Sequence, residues 1–190
     1  MSPFAAEVLT ELRAGQYRPR AWARFLARSW RRSRTTAAAH PALATSWARL
    51  SATLALGTAV ALAGEARVGT RGAAWRAIPA TSLCLAYQQL DVYAHLGLHA
   101  PIPGAPLRAA IGAPTTLTLI RGSAAGLLWG HLIAGRPVSR GQLGTALGLA
   151  GATDIADGAL ARARGQTTRL GAYLDAEADL SFGLAAALTL

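Results

Sequence analysis

Nine acidic side chains occur in this 190-residue sequence, and five of them, Asp154, Asp157, Asp175, Glu177 and Asp179, fall within one short stretch. The stretch is otherwise largely apolar. Carboxylates in such surroundings are costly, so they face a cavity, a partner or a metal. Asp154 and Asp157 are three residues apart and Asp175 and Asp179 four apart, so on helices each pair shares one face. Residues 162–169 between the pairs are polar and contain Gly165, which reads as a turn. Asp157 and Asp175 both stand nine residues from Gln166, with Asp154 and Asp179 one helical turn deeper. Two antiparallel helices would gather all four carboxylates roughly 13–20 Å from the turn, or less if the helix ends unwind.

Four carboxylates held together repel one another unless cations neutralise them. Oxygen ligands without Cys or a nearby His favour Mg²⁺, Mn²⁺ or Ca²⁺ over zinc. A carboxylate site holding two such ions suits in-line displacement at phosphorus. Gly158, directly after Asp157, removes a side chain where a ligand approaches the backbone. Ala161 is small on the same side, and Arg162 offers a fork for phosphate oxygens.

The pattern D-x2-D-G-x2-A-R-x8-G-x3-D-x3-D is filled at every fixed position by Asp154, Asp157, Gly158, Ala161, Arg162, Gly171, Asp175 and Asp179. It resembles the signature of the CDP-alcohol phosphatidyltransferases. Upstream, Pro114-Thr115-Thr116-Leu117-Thr118-Leu119-Ile120-Arg121 resembles that family's first core helix, often P-N-x-L-T-x-x-R, with Thr115 in place of the usual Asn. The resemblance covers about residues 100–190. It implies a Mg²⁺- or Mn²⁺-dependent transfer with two ions held by Asp154, Asp157, Asp175 and Asp179. An alcohol hydroxyl attacks the phosphorus of a CDP-alcohol such as CDP-diacylglycerol, and CMP leaves. By the same resemblance Asp179 is the general base, and Gly158, Ala161, Arg162, Gly171 and Thr118 bind the nucleotide. The family has six core helices, whereas this sequence runs to about the third, so the acceptor half is expected to be missing. The acceptor itself is not named by the motif. Dimers are common in the family, so a homodimer is one possible state, and the sequence leaves the oligomeric state open.

The elements that must carry this constellation read as membrane helices. The chain is 52% hydrophobic, with a mean hydropathy of +0.29, which is high for a soluble domain. The expected fold is all-α, a polytopic transmembrane bundle of about five spans at 42–64, 77–98, 117–134, 141–161 and 168–190. An amphipathic basic helix precedes them. The organisation has three parts: a basic cytoplasmic or interfacial arm at 1–41, two N-terminal membrane helices at 42–100, and the phosphotransferase core at 101–190. Pro101, Pro103 and Pro106 mark the linker.

All nineteen basic residues are Arg, and the net charge is +10. Eight of the arginines lie in the arm among Trp22, Phe25, Leu26 and Trp30, a composition that suits anionic lipid headgroups better than nucleic acid. The Arg distribution favours a cytoplasmic arm and a cytoplasmic 162–169 turn, although Arg67, Arg71, Arg76, Arg136 and Arg140 then face outward. The Arg, Ala and Gly bias suggests a GC-rich bacterial genome and hence an inner-membrane location, with the active site facing the cytoplasm. The single Cys84 excludes an intrachain disulfide.

Three further patterns carry alternatives. Gly122, Gly126 and Gly130, then Gly144, Gly148 and Ala152, repeat every four residues; such stripes pack helices within one chain or between copies. Asp91, His95 and His99 are four apart, readable as a hydrogen-bonded seam or a transition-metal pair. Glu177 falls off the face of its neighbouring aspartates. Two rival functions stand beside the transferase: a catalytically silent nucleotide-binding subunit or truncated relic, and a cation-conducting membrane protein. A conductor has no use for Gly158 and Arg162 at their spacings.

Overall fold

The computed structural model describes residues 3–68 and 71–190. Among the described residues the chain is all-helical: α1 (Pro3–Ala14), α2 (Pro19–Ala39), α3 (Pro41–Val68), α4 (Arg71–Ala94), a 3₁₀ turn at Leu96–Leu98, α5 (Ala113–Ile133), α6 (Arg140–Ala163) and α7 (Arg169–Thr189). There are seven α-helices and no strand among these residues.

The basic arm is two helices rather than one. Gln16 and Tyr17 adopt positive φ, and Pro19 starts α2 at a position where its missing N–H costs nothing. Arg28 on α2 pairs with Glu7 at 2.8 Å and with Glu11, tying the two helices together. Trp22, Leu26 and Trp30 remain exposed on α2.

Helix α5 is the centre of the bundle and packs against α7, α4 and α6, while α6 and α7 meet each other only sparingly. The simple pairing of two antiparallel helices is therefore corrected: α5 lies between the two acidic helices. Two apolar cores flank it. Leu43, Leu54, Val92, Leu96, Leu119, Leu170 and Leu174 join α3, α4, α5 and α7. Ala125, Leu128, Leu143, Ala150, Phe182, Ala185 and Ala186 join α5, α6 and α7.

The glycines of α5 explain the close approach to α4. A Cβ on Gly130 would lie 1.9 Å from Thr81 Oγ1 and 3.1 Å from the Thr81 backbone nitrogen, and one on Gly122 would lie 2.1 Å from Gln88 Nε2. This stripe packs within the chain. Gly144 and Gly148 on α6 meet nothing within 4 Å.

Among the described residues, only Pro41–Arg67 is long and apolar enough, by length and composition, to cross a membrane. The other expected spans fall short among the described residues because arginines, carboxylates, glutamines and hydroxyls dilute their apolar runs. The side chain of Arg71, one of the charges expected to face outward, lies outside the described residues.

Candidate functional site

The turn between α6 and α7 is fixed by local chemistry. Gly165 takes φ +58°, the left-handed geometry that glycine adopts without strain. The Gly165 N–H donates to the Arg162 carbonyl at 3.2 Å and the Gln166 N–H to the Ala161 carbonyl at 2.8 Å, which is the Schellman closure of a helix. Thr168 then caps α7, its hydroxyl accepting from the Gly171 N–H at 3.0 Å. At its other end, α6 starts with a reciprocal capping box between Ser139 and Gln142. A strap formed by residues 99–111 braces the turn. The Arg169 N–H donates to the Ala100 carbonyl at 2.9 Å, and Arg108 Nη2 donates to the Gly165 carbonyl at 2.6 Å. Buried His99 donates from Nε2 to the Ala110 carbonyl at 2.9 Å, and burial pushes its imidazole below the ordinary histidine range.

The four motif aspartates surround one side chain, Arg121 of α5. Its Nη1 lies 3.1 Å from Asp154 Oδ1 and 3.6 Å from Asp157 Oδ2, its Nη2 binds Asp175 Oδ1, and its Nε lies 3.1 Å from Asp179 Oδ1. The Arg121 side chain is 2% exposed, and that of Asp157 8%, whereas Asp154, Asp175 and Asp179 are about half open to solvent. Thr118, one turn before Arg121, donates from its hydroxyl to Asp157 Oδ2 at 2.9 Å. A buried charge survives only where partners compensate it, and here guanidinium and carboxylates compensate each other.

The residues present fit a divalent cation. One oxygen each from Asp154, Asp157 and Asp175 lies within 4.8 Å of the other two. A donor set made only of carboxylate oxygens matches Mg²⁺ or Mn²⁺. Asp179 reaches the same guanidinium but stands outside that closest triad.

Beside the triad is a cavity of about 270 Å³, reached by Asp157 and Asp175 and lined by Gly158, Ala161, Arg162, Gly171 and Thr118 among others. Residues expected to bind the nucleotide thus line one space next to the expected metal ligands. The first turns of α5 and α7, through Pro114, Thr115 and Gly171, also border it. Helix N-termini and an arginine favour an anion there. Gly171 lies close against its neighbours, since a Cβ would sit 3.2 Å from Thr168 Oγ1 and 3.3 Å from Thr115 Oγ1.

Sequence reasoning assigned no role to Arg121 or Thr168 and used Gln166 only as the fold point. Gln166 borders the cavity, and its buried Oε1 accepts no hydrogen bond. For Arg121 a signal existed: a lone arginine in an apolar helix, three residues after Thr118.

Asp91, His95 and His99 do not converge. Helix α4 ends at Ala94 and the chain turns through Leu96–Leu98, which sends His99 to Ala110. Asp91 pairs with His95 at 3.0 Å and accepts from Tyr173 at 3.2 Å, while Tyr87 donates to Glu177 at 2.9 Å. These contacts form a polar seam between α4 and α7, with Glu177 turned away from the motif aspartates.

Residues 112–190 match the family model described as CDP-alcohol phosphatidyltransferase. No curated protein and no solved structure gives a significant match.

Proposed function

We propose, from the match of residues 112–190 to the family model described as CDP-alcohol phosphatidyltransferase, that this chain transfers a phosphatidyl or phospho-alcohol group from a CDP-alcohol to an alcohol acceptor. The family implies the phosphatidyl transfer. CDP-diacylglycerol as donor, dependence on Mg²⁺ or Mn²⁺ and a place in phospholipid biosynthesis are our reading. The observation that carries it is the cavity in which Gly158, Ala161, Arg162 and Gly171 stand beside Asp157 and Asp175.

Asp154, Asp157, Asp175 and Asp179 would hold the divalent ions, which when bound neutralise the diphosphate and stabilise the departing CMP. The remaining work falls to the chain. Arg162 and the N-termini of α5 and α7 orient the phosphate oxygens. Gly158 and Gly171 leave room for close approach. Thr118 fixes the orientation of Asp157 through its hydrogen bond. The acceptor oxygen forms its bond to phosphorus, the bond from phosphorus to the CMP oxygen breaks, and the acceptor proton passes to a carboxylate oxygen of Asp179. Positioning of the Asp179 carboxylate beside the acceptor hydroxyl carries much of its effect.

We further propose a three-part, membrane-integral arrangement: the 1–41 arm on an anionic bilayer surface, helices in 42–100 anchoring it, and the core with its site on the cytoplasmic side of a bacterial inner membrane. The apolar α3, only 17% of whose spanning window is buried, and outward Leu56, Val60, Leu83, Leu180 and Leu184 support that placement.

The test is CMP release from CDP-diacylglycerol by the purified chain with Mg²⁺ across a panel of alcohols. We expect release that needs the metal and falls by roughly a hundredfold or more in Asp179→Asn, the scale of a lost general base. Absence of release with every acceptor, or full release by Asp179→Asn, would overturn the assignment.

A further inference from the structure

We propose that Arg121 is the resident counter-cation of the four-aspartate site, occupying the place of a divalent metal and competing with it. The inference rests on reading the aspartates as a metal site and adds a residue that this reading does not use.

Three observations support it. First, one guanidinium lies within ion-pair distance of all four motif carboxylates, and no other cationic side chain pairs with them among the described residues. Second, Arg121 is fully buried among groups of opposite sign, with its Nε 3.1 Å from Asp179 Oδ1 but making no hydrogen bond. That donor is held by charge, not by a matched acceptor, so the carboxylates are not arranged as a finished Arg–carboxylate fork. Third, the three carboxylates whose oxygens lie within 4.8 Å of one another are the same three that the two Nη atoms of Arg121 contact, so a divalent ion and the guanidinium draw on one set of ligands.

The charges give the direction. Four carboxylates and one guanidinium leave the cluster strongly negative, which attracts a divalent cation. A positive group a few ångströms from that cation opposes its binding. Metal entry therefore exchanges Arg121 contacts to Asp154, Asp157 and Asp175 for metal bonds. Without metal, Arg121 keeps the acids from repelling one another.

The experiment compares wild type, Arg121→Met and Arg121→Lys in detergent, titrating Mn²⁺ and following loss of the free-ion electron paramagnetic resonance signal. Thermal unfolding is measured on the same samples. With the competing charge removed, Arg121→Met should half-saturate at a Mn²⁺ concentration at least about tenfold lower than wild type. It should melt well below wild type without metal and recover most of the difference when saturated. Arg121→Lys, which keeps the charge but not the reach, should fall between them. Unchanged or weaker Mn²⁺ binding by Arg121→Met, or failure to recover stability in saturating Mn²⁺, would overturn the proposal. Absence of Mn²⁺ binding in all three proteins would overturn it together with the metal reading. Tight wild-type binding with no gain in Arg121→Met would sink the competition alone. CMP release by the wild type reports on the transferase reading separately.

Discussion

Asp157 is the one motif carboxylate shut away from water, so its orientation depends on protein donors. Thr118 supplies the hydroxyl, at 2.9 Å. Thr118→Val keeps the branched shape and removes the donor. Nearly buried, Asp157 has little access to a replacement water, and a hydrogen bond to a charged group is worth about 1.5–3 kcal/mol. We therefore expect the melting temperature to fall by several degrees and kcat/KM for CMP release to fall by roughly ten- to a hundredfold; an unchanged rate would remove Thr118 from the site. At this scale the sequence was informative where spacing is local. Asp154 to Asp179 lie on consecutive helices joined by one short turn, so counting residues from Gln166 brought them together. Arg121 is 33 residues from Asp154 and 54 from Asp175. No count of residues sets the rotation of α5 against α6 and α7, so its place at the centre could not be read. Of Asp91, His95 and His99 the first two meet in the polar seam, and His99 leaves it for a related reason: the regular spacing assumes a helix that continues, and this one stops at Ala94.

The glycine repeat behaves differently in α5 and α6. In α5 the stripe is an interface with α4, and at Gly130 the nearest atoms include Thr81 backbone, which cannot move aside as a flexible side chain could. Gly130→Ala should cost about 1–3 kcal/mol by overpacking. Gly148→Ala, facing open space, should be neutral or gain up to about 1 kcal/mol through helix propensity. Thermal or denaturant unfolding in one detergent compares the two directly, and equal effects would contradict the packing described. The sequence pattern alone left both stripes open between intrachain and interchain contact, because a repeat of small residues says how near a neighbour can come but not which neighbour it is. The turn was easier. Gly165 marks the helix end on chemistry that needs no distant partner, while the cap at Thr168 went unread.

For the molecule as a whole, composition pointed to a membrane, while the hydropathy of individual helices singles out α3. The difference is physical: α4 to α7 spend their inward faces on Arg121, the aspartates and the polar seam of Asp91, His95, Tyr173 and Glu177, and an average over the helix counts those groups as if they met lipid. If the outward faces are what the bilayer meets, the chain should stay in the membrane pellet through extraction at alkaline pH and leave only with detergent. Release into the supernatant would contradict a membrane-integral protein and leave surface attachment through the arginine-rich arm. The architecture also bears on how the chain divides. The family match begins at residue 112, yet the turn carrying both halves of the acidic motif is braced from outside that segment, by Ala100 on Arg169 and Arg108 on Gly165. The start of the match is therefore not a seam. A graft of residues 112–190 onto another set of anchoring helices would leave the turn without its strap, whereas a cut placed before His99 would carry the strap along, so the transplantable unit is longer than the segment that identifies it.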